Sequence, residues 1–194
     1  MRAKPSALVS CVAIALAACA NSTASRLSLA NLMREAPNDM PLRLLLADDT
    51  ITGVAVPLGP GTLPAAVRTT FDAIAPGGKT TFVGREASER GDGFRLEKYY
   101  ADQELTCSVL AAVDGSVLER WHSVGLRNVP LDVMAAALTT DPVIEMACIV
   151  SGPAREEHWQ LLARDRGQRT FVLTIGLRGE KVARRRRMTA QVDS

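Results

Sequence analysis

The sequence predicts an α+β fold of two tandem units, each a helix packed on an antiparallel sheet of about four strands. Three observations predict it. A helix-opening pattern, Leu63-Pro64-Ala65-Ala66-Val67, recurs as Val129-Pro130-Leu131-Asp132-Val133, with the prolines 66 residues apart. Period-two apolar segments follow each copy. A glycine turn then precedes the last strand of each, Asp114-Gly115-Ser116-Val117-Leu118 and Arg178-Gly179-Glu180-Lys181-Val182. Between these markers, Phe94-Arg95-Leu96 aligns with Trp159-Gln160-Leu161. The slow drift in spacing needs only two single-residue deletions, placed in loops. Self-similarity of this kind is sought first because missing it misreads the whole fold.

The elements follow in order. Proline suits a helix start, since its missing N–H has no helical partner there. Val67, Phe71 and Ile74 make one apolar face, and Pro76-Gly77-Gly78 stops the first helix. In the second copy Val133 with Ala137 and Met134 with Leu138 make the face, ending before Pro142. Strands are expected at 79–86, 94–100, 104–113 and 117–124, then at 143–150, 159–164, around 171–177 and at 181–188. The clearest alternation is Leu105, Cys107, Val109, Ala111 and Val113, matched by Phe171, Leu173, Ile175 and Leu177. The Gly115 and Gly179 turns read as hairpins.

The N-terminus has another character. Arg2 and Lys4 precede the apolar run from Ala7 to Leu16, which is the n-region and short h-region of a secretory signal. A spanning helix needs about 20 apolar residues. The run ends in Leu16-Ala17-Ala18-Cys19, which resembles a bacterial lipobox. That resemblance implies cleavage before Cys19, a lipid on its thiol, and a bilayer anchor. Ala20 rather than Asp after the cysteine implies the outer membrane, periplasmic face.

The expected organisation is a signal peptide at 1–18, a partly ordered tether at 19–61, repeats at 62–126 and 127–189, and a tail at 190–194. Leu42, Leu44, Leu45 and Leu46 are too apolar for a pure linker and are expected to dock on the domain.

Composition supports a folded, aliphatic core: 47% of residues are hydrophobic and only 4% aromatic. Without Arg2 and Lys4 the basic and acidic residues are equal, at 21 each. No net basic field is left to attract nucleic acid.

The Leu-Pro-x-x-Val helix opening, the strand meander and the glycine turn resemble the PepSY-like family, including members related in fold to β-lactamase inhibitory protein. The likeness covers about Gly61 to Met188 in two copies. It implies a secreted or periplasmic binding or inhibitory module with no catalytic residues, and an envelope protein such as a peptidase as partner.

The residues themselves show no enzyme signature. His122 and His158 have no metal-ligand spacing, and no phosphate loop or Gly-x-Ser-x-Gly is present. No cofactor or metal is expected. Cys107 and Cys148 remain after processing, and either a disulfide or two buried thiols is compatible with them. The run Arg184-Arg185-Arg186-Arg187 reads as an edge strand guarded by charge, or as a contact for phosphates or an acidic partner.

The sheet face away from the helices is expected to carry Arg95, Glu97, Tyr99, Trp121, Gln160, Leu162, Arg164 and Thr174. Arg95, Tyr99, Trp121, Arg164, Arg185 and Arg187 are the candidate partner contacts, because Trp, Tyr and Arg dominate interface hot spots. A structural envelope element and a small-ligand sensor are the alternative functions.

Overall fold

The computed structural model describes residues 31–32, 42–47, 50–138, 143–153, 156–180, 182–185 and 187–192. The expected signal peptide at 1–18, Cys19 and much of the expected tether at 19–61 lie outside the described residues.

Among the described residues there are eleven strands and two α-helices of seven residues or more. The strands are β1 Leu42–Ala47, β2 Thr50–Pro57, β3 Lys79–Ser88, β4 Gly91–Tyr100, β5 Leu105–Ala111 and β6 Val117–Val124. They continue with β7 Val143–Ser151, β8 Glu157–Arg164, β9 Thr170–Gly176, β10 Val182–Arg185 and β11 Arg187–Val192. Helix α1, Ala65–Ile74, lies between β2 and β3. Helix α2, Leu131–Ala137, lies between β6 and β7.

The expected two helix-on-sheet units are corrected by the strand order. One sheet holds all eleven strands, in the order β10-β9-β8-β7-β6-β5-β4-β3-β2-β1-β11. At the expected boundary between units, β6 bonds β7 antiparallel from Arg120↔Ser151 to Val124↔Ala147. A strand edge left open there would expose a row of unpaired N–H and C=O groups, and mutual pairing removes it. The helices are minor parts of a β-rich fold, with ten and seven residues.

Two further corrections concern the ends. Residues 42–57, expected within a tether, form β1 and β2. They bury Val54 and Val56 with Leu32 and Ala87, against partly buried Leu42, Leu44 and Ile51. The expected final strand 181–188 and the tail from 190 become two strands. β10 pairs with β9, whereas β11 pairs with β1 from Leu42↔Val192 to Ala47↔Arg187.

The residue-by-residue register puts both helices on one face. The row Lys98–Cys107–His122–Ile149–Trp159–Ile175 crosses six strands on that side. Val67 and Phe71 of α1 pack on Val83, Leu96, Val109 and Ala111. Val133 and Ala137 of α2 pack on Trp159, Leu161, Phe171, Leu173 and Ile175. These aliphatic and aromatic side chains carry the main burial, at roughly 25 cal/mol per Å² of apolar surface removed from water.

Each glycine turn leans on a helix start. A Cβ on Gly115 would lie 2.9 Å from the Ala66 carbonyl oxygen, and one on Gly179 would lie 2.9 Å from that of Asp132. Both glycines also have positive φ, +86° and +75°, which side chains disfavour.

The sheet curls strongly. In a flat sheet β1 and β8 would be about 34 Å apart, at ~4.8 Å per strand. Yet Arg43 of β1 and Gln160 of β8 line the same cleft, and β11 packs against β9. The strands at the two ends of the order, β10 and β11, are separated in sequence by residue 186 alone. The chain from 182 to 192 therefore joins one end of the sheet to the other. The face opposite the helices is concave.

Candidate functional site

The concave face is built from alternate residues of the central strands. One row crosses β3 to β6 as Gly84–Arg95–Leu110–Glu119. The next runs Phe82–Glu97–Ser108–Trp121–Val150–His158. Glu86 stands opposite Gly93 and diagonal to Arg95.

Arg95 is the centre of a buried ion network. Its Nε and Nη2 donate to the two oxygens of Glu86 at 2.7 and 2.8 Å. Its Nη1 donates to Glu119 at 2.9 Å and to Ser108 Oγ at 3.1 Å. These bonds occupy four of the five guanidinium N–H groups. Arg90, from the turn before β4, contacts the other Glu119 oxygen. Ser88 Oγ donates to Glu86 at 3.0 Å. Arg95, Glu86 and Glu119 are 7%, 3% and 4% exposed. A buried charge is tolerable only when paired and hydrogen-bonded, and here the pairing is two-pronged.

A second pair lies beside it. Arg43 Nη1 donates to Glu97 Oε1 at 2.8 Å, and the Arg43 guanidinium stacks 3.9 Å from the Phe82 ring centre. Arg43 and Glu97, with Glu86, Arg95 and Glu119, line a cleft of about 220 Å³ that Trp121 and Gln160 also line. Gln160 Nε2 lies 3.2 Å from His158 Nε2.

The expected contact residues are distributed as follows. Trp121 is half-buried and lines the cleft. Tyr99, on the same face at the end of β4, is 38% exposed. Arg164, at the end of β8, pairs with Glu145 at 2.5 Å. Arg185 lies in β10 and Arg187 opens β11, but their side chains are outside the described residues. Arg95 is only 7% exposed and four of its five N–H groups are engaged within the chain, so little of it is open to a partner. Sequence reasoning missed Glu86, Glu119 and Ser108, since alternation shows which face a residue takes and not whether that face is covered. Gly84 and Gly93 were the available signal, because glycine inside a strand marks close approach. A Cβ on Gly93 would meet the Ala111 oxygen at 2.4 Å.

Cys107 and Cys148 are both buried and unbonded to each other. Cys107 faces the helices, while Cys148, two strands away, faces the concave side beside Gln160. Opposite faces of a sheet cannot satisfy disulfide geometry. Burial raises the Cys107 thiol pKa, despite Arg120 and Lys98 nearby. Across from it, His122 has a lowered pKa, first from burial and then from Arg120, with Glu157 opposing. Among the described residues no group of three His, Cys, Asp or Glu side chains could hold a metal ion.

No family model matches the sequence, the PepSY-like one included, and no curated protein matches it either. Crystal structures similar in fold include two from Bacteroides. One is a DUF2874 family protein of Bacteroides uniformis, with 13% identity and a TM-score of 0.50, covering 64% of this chain and 88% of that one. The other is a candidate periplasmic protein of Bacteroides eggerthii, with 15% identity and a TM-score of 0.52, covering 66% of this chain and 90% of that one. At these identities the likeness is one of fold.

Proposed function

We propose that this protein is a non-catalytic binding module of the bacterial cell envelope that takes its partner on the concave face of the sheet. The observation that carries the proposal is the state of that face. Trp121 stands half-buried beside an ion network whose members are locked by one another. A surface fixed before binding loses little side-chain freedom on binding. Half-buried Trp and exposed Tyr99 on such a surface are the side-chain types enriched at hot spots.

The envelope location draws on two supports. One is the lipobox at Cys19, behind a charged n-region and a short apolar run. The other is the fold shared with a candidate periplasmic protein. In the finer reading, acyl chains on Cys19 hold the module at the outer membrane, periplasmic face, at about 0.8 kcal/mol per buried methylene. An envelope protein, of which a peptidase is one kind, is then the partner.

Recovery from an envelope extract tests the reading. Wild-type protein and the Tyr99→Ala/Trp121→Ala variant are compared as baits for the same captured protein. The variant should recover at least tenfold less. Equal recovery would remove the concave face from the proposal.

A further inference from the structure

We infer that the cleft on the concave face is a binding site for one ring of a neutral saccharide. The inference rests on the cleft's own geometry, not on the identity of a protein partner.

The floor and walls follow from the register. Glu97, Ser108 and Trp121 stand in one row on β4, β5 and β6. Neighbouring strands are about 4.8 Å apart, so Glu97 and Trp121 rise roughly 9.6 Å from each other. Ser108 between them is small, fully buried and bonded to Arg95, so it does not fill the gap between their side chains. One wall is the Trp121 indole. The other is the Glu97 carboxylate with the Arg43 guanidinium clamped to it at 2.8 Å. Gln160 adds an amide at the rim. The whole cleft, which Leu45, Leu46 and Thr52 also line, is about 220 Å³, below the roughly 300–1,000 Å³ of pockets for drug-sized ligands, and so suits a single ring.

The chemistry of the walls selects the class of ligand. A pyranose has an apolar C–H face, which stacks on an aromatic ring, and a rim of hydroxyls that each donate and accept. Trp121 supplies the stacking surface. Glu97 supplies an acceptor, Arg43 supplies donors, and Gln160 supplies both. Among the described residues, the hydrogen bonds to Glu97 use only Oε1, leaving Oε2 with acceptor capacity. The charges lining the cleft are three arginines (Arg43, Arg90, Arg95) and four glutamates (Glu86, Glu89, Glu97, Glu119). They nearly cancel, so no excess positive charge favours phosphate or carboxylate. A neutral polyol leaves the Arg–Glu pairs intact, whereas a charged ligand must compete with them.

Two measurements test the assignment on the full chain. The first is tryptophan fluorescence. Trp159, the other tryptophan, is buried in the α2 core, so a cleft ligand perturbs chiefly Trp121. The probes are glucose, N-acetylglucosamine and its β-1,4 disaccharide, with inorganic phosphate and butylamine as charged competitors. The second is saturation-transfer NMR on the same sugars, which needs no tryptophan. A saturable response to at least one sugar is expected by both methods. It should vanish in Trp121→Ala, weaken at least tenfold in Glu97→Gln, and persist in Leu131→Ser on the helix side. No saturable response to any sugar would overturn the assignment. So would equal sugar binding by wild type and Trp121→Ala, or saturable binding of phosphate or butylamine alone. A negative sugar titration combined with partner loss in the Tyr99→Ala/Trp121→Ala bait would end this inference and leave the protein-binding proposal standing.

Discussion

Glu86 grips Arg95 with both oxygens, at 2.7 and 2.8 Å, on the sheet face opposite α1 and α2. The pair explains how charged residues survive burial in the middle of a β-sheet. Removing the arginine alone leaves Glu86 and Glu119 buried without their main partner. Arg95→Met should therefore cost about 3–5 kcal/mol of unfolding free energy. Converting Glu86 and Glu119 to Gln in the same chain should recover much of that loss. Urea titration of the single and triple variants checks it. A cost below about 1 kcal/mol for the single variant would show that the network is not structurally important.

The Gly115 and Gly179 turns make matching predictions. Each has positive φ and abuts a carbonyl in the first turn of a helix. Thr70 adds a hydrogen bond to the Gly115 carbonyl at 2.7 Å. Gly115→Ala and Gly179→Ala should each destabilise by about 1–3 kcal/mol, from backbone strain plus the close contact. Thermal unfolding reads both. Gly61, with open space around its Cβ position, is the control and should change little on substitution to alanine.

The placement of β10 and β11 at opposite ends of the sheet predicts a localised effect of truncation. A chain ended at residue 186 loses β11 and uncovers the outer edge of β1. Amides of Leu42–Ala47 that bond β11 should exchange with solvent at least a hundredfold faster, while β5 keeps its protection. The uncovered edge should also promote self-association. Unchanged exchange in β1 would contradict the closure of the sheet by this segment.

His122 predicts a pH dependence. Its pKa is lowered in the folded protein, first by burial and then by Arg120, with Glu157 opposing. Cys107 and Lys98 share its row across the sheet. The unfolded chain, with a histidine pKa of about 6.5, takes up the proton first as pH falls. Stability is thus intact above that value and declines as pH drops through it toward the lower folded pKa. Between pH 8 and pH 5 the urea midpoint of wild type should fall, and that of His122→Gln should fall less. Parallel curves would remove His122 as the cause.

Much of the local structure was legible in the sequence, and the assembly was not. Alternation at Leu105, Cys107, Val109 and Ala111 marked β5 and its helix-facing side, because period two is a local property. Val67 and Phe71 marked the buried face of α1 in the same way. The pairing of β6 with β7 was not legible, since strand edges carry no side-chain pattern that names a neighbour. The leucines of 42–46 signalled burial, yet their partner β11 lies about 145 residues away in sequence, where only the fold brings them together. At the site, Trp121, Tyr99 and Arg164 were placed on the correct face by period two. Arg95 was placed there too, but its burial depends on Glu86 and Glu119, and on the curl of the sheet around them.

Photo-crosslinking in intact cells tests whether the concave face is the working surface. A photoreactive amino acid is placed in turn at Leu162, on the concave side of β8, and at Leu131, 88% exposed at the start of α2. One discrete crosslinked product is expected from position 162, disappearing in the Tyr99→Ala/Trp121→Ala background, and none from position 131. A discrete product from position 131 alone would contradict that expectation, placing the interaction on the helix side.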